Sequence, residues 1–208
     1  HAVRRARVRL GDTVAVFGLG PIGLMTAQWL RAAGAAKIML FDILPEKLEV
    51  ARKLGFDDVF DSRKSNPVDT INQLTGGHGA HVTIEGAGVE LTLLAALQAT
   101  RRSGRMVILG NPNMDVTLPA TLISQCMRRE IEILGTWNSD YSVFSDDDDW
   151  KTVLQAMSNQ TLDLKPLITH TVPIARGIEA LEMMRDQTHF FNKVLIHPSP
   201  SISAENPG

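Results

Sequence analysis

The residue types and spacing of Thr13-Val14-Ala15-Val16-Phe17-Gly18-Leu19-Gly20-Pro21-Ile22-Gly23-Leu24-Met25 specify chemistry more sharply than any other stretch of this chain. A short apolar run enters a G-x-G-x-x-G turn, and a helical apolar pattern follows from Ile22 to Ala33. Each glycine has a physical reason in a cradle for a dinucleotide. Gly18 turns the chain tightly off the strand. Gly20, with no Cβ, lets the backbone approach a pyrophosphate, and Gly23 lets the helix lie close to the sheet. The amides at the helix N-terminus, with the positive end of its dipole, face the phosphates. Asp42 closes a second apolar run, Lys37 to Phe41, where its carboxylate can accept hydrogen bonds from the adenosine ribose hydroxyls. The competing reading is a flavodoxin-like or other α/β unit whose glycines serve packing alone.

Charge selects NAD over NADP. A 2′-phosphate would sit beside the Asp42 carboxylate, and two unit charges about 4 Å apart at an effective dielectric near 20 repel by about 4 kcal/mol. Even the fraction left after solvent exposure favours NAD by about tenfold or more. Ile43 and Leu44, next in sequence, offer no guanidinium to receive that phosphate.

These residues need a scaffold, and the apolar pattern supplies one. Strands are expected at Thr13 to Phe17, Lys37 to Phe41, Asp58 to Phe60, His81 to Ile84, Arg105 to Leu109 and Glu130 to Leu134. Helices are expected between them at Ile22 to Ala33, Pro45 to Leu54, Pro67 to Leu74, Glu90 to Ala99 and Pro119 to Met127, with a short extra strand at Asp115 to Leu118. Strictly alternating strands and helices imply βαβ crossovers. The fold class is therefore α/β, a doubly wound six-stranded parallel Rossmann sheet with helices on both faces. A C-terminal extension follows, with a polar loop from Asn138 to Ser145, helices at Trp150 to Met157 and Gly177 to Met184, and a strand from Phe191 to Ile196. The expected division is a connecting segment over 1–11, the dinucleotide-binding domain over 12–140, a C-terminal segment over 141–198 and a frayed tail over 199–208.

Composition is that of an ordinary globular protein: 208 residues, 44% hydrophobic, 21% charged and a formal net charge of −2. That charge gives no general attraction to nucleic acid. Arg4, Arg5, Arg7 and Arg9 make a local basic start, read as an exposed connecting segment or a partly exposed helix end or strand. No apolar run approaches the length of a membrane span, and no secretory leader is recognised. The single cysteine, Cys126, excludes an internal disulfide and a cysteine-based zinc cluster, and it reads as a buried thiol. A cytoplasmic protein is expected.

Other constellations fail on spacing. His78 and His81 lack a third metal ligand nearby. The Asp146 to Asp149 run lacks the alternation and glycine of a calcium loop and suits a helix N-terminus instead. Ser139, Tyr141 and Ser145 have no histidine in a defined relation to them, and Tyr141 with Lys151 is not a Y-x-x-x-K pair. Met25, Met39, Met106 and Met127 read as core packing.

Several strings carry a resemblance. Val16 to Leu24, Phe41-Asp42 with Lys47-Leu48 and Ala51, Leu54-Gly55, Glu85-Gly86-Ala87-Gly88, Gly104 to Gly110 and Asn192 to Pro198 resemble the cofactor domain of the zinc-type medium-chain alcohol and polyol dehydrogenases. The likeness runs from residue 1 to about 198. Gly135-Thr136-Trp137-Asn138-Ser139, followed by Asp149-Trp150, is most similar to the galactitol-1-phosphate 5-dehydrogenases, near the sorbitol dehydrogenases.

The resemblance implies a division of labour. A separate domain resembling the GroES fold holds the catalytic zinc in that family, and its cysteine, histidine and glutamate ligands have no counterpart here, nor has the four-cysteine structural zinc loop. This chain then reads as the cofactor-binding half, without catalytic or metal-ligating residues of its own. By resemblance Gly18, Gly20, Pro21, Ile22 and Gly23 hold the pyrophosphate, while Asp42 and Lys47 hold the adenosine ribose. Leu109, Gly110, Asn111, Thr136, Trp137 and Asn138 position the nicotinamide carboxamide, and Lys193 contacts the pyrophosphate; for Lys193 a merely solvated lysine is an equal reading. The implied reaction is hydride transfer between a secondary alcohol of a polyol or polyol phosphate and NAD, in a homodimer or homotetramer. Three alternatives stay open: an NAD-binding module without catalysis, a sorbitol or other diol dehydrogenase, and a zinc-free quinone reductase, which Asp42 disfavours. Cut from its other half, the chain is expected to expose apolar surface on the helices of Trp150 and Met183.

Overall fold

A computed structural model describes residues 1–141 and 148–198. The parts of the expected polar loop and acidic run at 142–147, with Phe144, Ser145, Asp146 and Asp147, lie outside the described residues, as does the expected frayed tail. Two compact units form, His1–Asp163 and a second from Leu164 onward.

In the first unit, α1 (Ala2–Ala6), β1 (Thr13–Phe17), α2 (Pro21–Ala32), β2 (Lys37–Asp42), α3 (Pro45–Lys53) and β3 (Val59–Asp61) are followed by α4 (Pro67–Leu74), β4 (Ala80–Glu85), α5 (Glu90–Ala99), β5 (Thr100–Ile108), α6 (Ala120–Arg129), β6 (Glu132–Gly135) and α7 (Asp149–Ser158). The six strands pair in the order β3-β2-β1-β4-β5-β6, every pair parallel. The strand order reverses between β1 and β4, so a crevice opens at their carboxyl ends.

Alternation along the strands sorts side chains onto two faces. Ala15, Phe17, Met39, Phe41 and Met106 meet Ile71 of α4, Leu93 and Leu97 of α5 and Leu122 of α6. Phe17, Phe41 and Phe60 stack in a row, with ring centroids 5.3 Å apart at each step. Val14, Val16 and Leu40 point the other way and are also fully buried. Prolines at the first turns of α2, α3 and α4 lack an amide that those turns could not use. Asn66 caps α4 by accepting from the Val68 and Asp69 amides.

Expectation and structure differ at several places. Residues 115–118 form no strand; they run exposed but for a half-buried Val116, so β6 is the edge of the sheet. Of the readings of the basic start, the partly exposed helix end holds: Ala2–Ala6 is helical, with Arg4, Arg5, Arg7 and Arg9 exposed. Its Ala2 and Ala6 are buried, and Arg105 of β5 donates to the carbonyls of Ala6 and Arg7 and, at 3.0 Å, to the Asp12 carboxylate. Met39 and Met106 are core, whereas Met127 is 72% exposed. Cys126 is half-buried and unpaired, its thiol pushed up by burial.

The second unit holds β7 (Ile168–Pro173), α8 (Gly177–Asp186) and β8 (Lys193–His197). Strands β7 and β8 pair in parallel; β7 has no counterpart in the sequence reading. Exposed apolar surface lies on Trp150 and Leu154 of α7 and on Ile178 and Leu181 of α8, with Met183 only half-exposed. Among the described residues no helix is long and apolar enough to cross a membrane.

Candidate functional site

The glycine turn sits at the carboxyl end of β1, beside the reversal point. Gly18 has φ of 91°, a left-handed conformation that disfavours any Cβ, and a Cβ there would also lie 2.8 Å from the Ala87 amide nitrogen. A Cβ on Gly23 would stand 2.0 Å from the Gly18 carbonyl oxygen, so the helix approaches the turn as closely as backbone permits. Gly20 differs from both. Nothing lies within 4 Å of its Cβ position, and its φ of −65° suits any residue. The fold does not need glycine at position 20.

No side chain caps α2, so the amides of its first turn remain for an outside acceptor. Ile22 in that turn is exposed and Pro21 half-exposed. Open space at Gly20 and uncapped amides fit a pyrophosphate.

Asp42, 8% exposed, ends β2 next to this turn. Its Oδ2 accepts from the Leu19 amide at 2.7 Å, and its Oδ1 from the Ile43 and Leu44 amides at 2.8 and 2.9 Å. Lys47 Nζ, one turn into α3, stands 3.7 Å from Oδ2. A carboxylate has about four lone-pair sites, so three amides leave room for one further donor. Asp42 thus fixes the glycine turn as well as presenting a charge beside it, a second task that sequence alone does not disclose.

Across β1, the amides of Leu109 and Gly110 donate to the Glu85 carbonyl at 2.8 Å, which folds the chain after β5 against the end of β4. Asn111 follows, its carbonyl oxygen 2.7 Å from the Cβ position of Gly88. Thr136 donates its amide to the Ile108 carbonyl, while Trp137 and Asn138 beyond it are exposed. Asn138 is left-handed, with φ of 51°. The strand-end residues of the first unit therefore gather along one edge of the sheet. Lys193 belongs to the second unit, where it opens β8 with an exposed side chain.

One residue at this edge received no role from sequence. Glu85 is fully buried, and its Oε1 accepts from the Ala87 and Gly88 amides at 2.8 and 2.9 Å and lies 2.8 Å from the Thr92 hydroxyl. Oε2 has no partner. The signal was present in Ile84-Glu85-Gly86-Ala87-Gly88, an acid closing an apolar strand ahead of a glycine turn, as Asp42 closes its own strand.

Zinc does not fit here. Among the described residues, one trio of potential ligands, His1, Asp140 and Asp149, lies within reach of a single ion. Its Asp149 already accepts from Arg4 Nη1 and the Asp140 amide, both at 2.7 Å, so the trio is an ion-paired latch between α1 and α7. His78 and His81 form no such group: His81 Nδ1 accepts from the Thr13 amide at 3.1 Å.

Comparison with known proteins agrees with this fold. Sorbitol dehydrogenase from Homo sapiens is 32% identical over 187 residues, covering 89% of this chain and 50% of the relative. Galactitol-1-phosphate dehydrogenase from Escherichia coli superposes with a TM-score of 0.85 at 26% identity, over 95% of this chain and 57% of that one. A protein from Sinorhizobium meliloti 1021 solved bound to NADP shares the fold, with a TM-score of 0.80 at 24% identity, over 95% and 56% of the two chains. The chain thus spans about half the length of the curated relatives it matches. The family described as zinc-binding dehydrogenase matches residues 21–159, more than half of the sequence, and this chain belongs to that family.

Proposed function

We propose that this chain is the NAD-binding part of a zinc-type polyol dehydrogenase with a substrate like galactitol 1-phosphate. The observation that carries the reading is the uncapped N-terminus of α2 behind an open Gly20. The Gly18 to Gly23 turn seats the pyrophosphate, and Asp42 and Lys47 hold the adenosine ribose. Leu109, Gly110, Asn111, Thr136, Trp137 and Asn138 orient the nicotinamide. NAD held there would supply the hydride acceptor for oxidation of a secondary alcohol to a ketone. The zinc ligands of the complete enzyme lie outside the described residues of this chain, and the chain by itself is inactive. Support for the polyol substrate comes from the sorbitol and galactitol-1-phosphate dehydrogenases it resembles. The complete protein is proposed to be cytoplasmic and to pair as a homodimer or homotetramer, without nucleic acid or membrane partners. The unpaired outer side of β6, with Ile133 exposed on it, supports the pairing.

The cofactor choice rests on Asp42. Its carboxylate, taking three backbone amides in a buried position, offers a 2′-phosphate like charge with little room to move away. Lys47 offsets part of that repulsion. Calorimetric titration with NADH and NADPH tests the proposal: NADH is expected to bind at least about tenfold more tightly. Equal or tighter NADPH binding rejects the role given to Asp42.

A further inference from the structure

The edge of the sheet carries two buried carboxylates, one on each side of β1. Phe17, the last residue of β1, is in register with Phe41 of β2 on one side and with Glu85 of β4 on the other. Asp42, next after Phe41, gathers the amides around the first glycine turn. Glu85 does the same for the turn after β4, through Ala87 and Gly88. Its main chain extends the effect, because the Glu85 carbonyl takes both the Leu109 and Gly110 amides. One residue therefore anchors the two turns that line the crevice beyond the pyrophosphate.

The turns also touch backbone to backbone. A Cβ on Gly110 would stand 2.3 Å from the Gly88 nitrogen and 2.9 Å from Glu85 Oε2, and one on Gly18 would meet Ala87. A shift in the turn after β4 must then move the Leu109-Gly110 turn packed on it, whereas Asp42 holds the Gly18 turn from its other side through the Leu19 amide. Oε2 lies beside Gly110 without a hydrogen-bond partner among the described residues. Leaving a buried carboxylate oxygen unpaired is costly. A core built for stability alone would put an apolar side chain or an amide with a matched acceptor there.

We infer that Glu85 is a positioning residue for the nicotinamide half of the dinucleotide, acting through the Gly86-Ala87-Gly88 and Leu109-Gly110 turns. The inference rests on the proposed dinucleotide site. A dinucleotide seated at the Gly18 turn, with its adenosine over Asp42, runs its other half across the ends of β4 and β5. There the ring takes its orientation from the main-chain groups that Glu85 holds. Charge-assisted bonds from two amides and a hydroxyl make those turns stiff.

The test compares NADH with ADP-ribose, which lacks the nicotinamide, by calorimetry on the full chain. Wild type is expected to bind both, NADH more tightly. Glu85→Gln keeps the shape and removes the charge from the group that takes the Ala87 and Gly88 amides and the Thr92 hydroxyl. It is expected to weaken NADH about tenfold while ADP-ribose changes by less than about twofold. Thr92→Val, which removes one donor and leaves the carboxylate, is expected to weaken NADH by about threefold with ADP-ribose again unchanged, and it carries the test if Glu85→Gln does not fold. Equal losses for the two ligands make Glu85 a fold residue and overturn the inference, as does undiminished NADH binding in the variant. Wild type that binds ADP-ribose as tightly as NADH overturns it too. Wild type that binds neither ligand refutes the underlying dinucleotide site instead.

Discussion

Two glycine substitutions in one turn separate what the fold requires from what the ligand requires. Gly23→Ala puts a methyl carbon 2.0 Å from the Gly18 carbonyl oxygen. Ordinary contact begins at 3.4 Å, so α2 and the turn must part by about 1.4 Å, a packing strain of about 1–3 kcal/mol. For a chain of this size each kcal/mol lowers Tm by roughly 2–4 °C, so a fall of about 2–12 °C is expected. Gly20→Ala meets nothing within 4 Å and needs no unusual φ. It should leave Tm unchanged or raise it, because alanine at a compatible φ stabilises by about 0.4–1 kcal/mol through the unfolded chain. Its methyl nevertheless occupies the approach to the α2 amides, so NADH affinity is expected to fall by about tenfold or more. Thermal melts with calorimetric titration on both variants read the contrast. A Gly20→Ala chain that binds NADH like wild type would refute the placing of the pyrophosphate. A Gly23→Ala chain that melts like wild type would refute the close approach of helix and turn.

Two further outcomes follow from buried charge elsewhere. Arg105→Ala leaves the Asp12 carboxylate buried without its 3.0 Å partner and frees the carbonyls of α1. A stability loss of about 3–5 kcal/mol is expected from the urea midpoint, and a loss below about 1 kcal/mol contradicts the clamp. His81 titrates below the ordinary imidazole value of 6.5, because burial and the nearby Arg101 charge disfavour the cation. The unfolded chain then takes up this proton first as pH falls. Stability contributed by neutral His81 is full above about pH 6.5 and declines below it, towards the lower folded value. His81→Gln, which can still accept from the Thr13 amide, should lose less Tm between about pH 7 and 5.5 than wild type does. An identical slope in the two proteins contradicts this assignment.

The sheet was legible because its signals are local. Runs such as Val14 to Phe17 and Lys37 to Phe41 are bounded by glycines and an acid, and parallel strands buried on both faces read as continuous apolar segments. What failed was short or dependent on distant partners. Residues 115–118 alternate like a strand but pair with no strand among the described residues. Strand β7 carries Thr169, His170 and Thr171 between its apolar residues, and its partner β8 lies some twenty residues on, so no local pattern marks it. Helix α1 spans five residues, too few for a periodicity to register, and its burial depends on Arg105 nearly a hundred residues away. At the site, the glycines and Asp42 were readable from spacing. That Asp42 binds the Leu19 amide, and that Glu85 mirrors it across β1, emerges only once parallel pairing sets both acids beside the end of the same strand.

The most direct measurement is a structure of the chain crystallised with NADH. Density for the pyrophosphate over Gly20 and the first-turn amides of α2, with the adenosine ribose at Asp42, is the expected result. Density for NADH elsewhere, or a turn left empty at saturating NADH, contradicts the account.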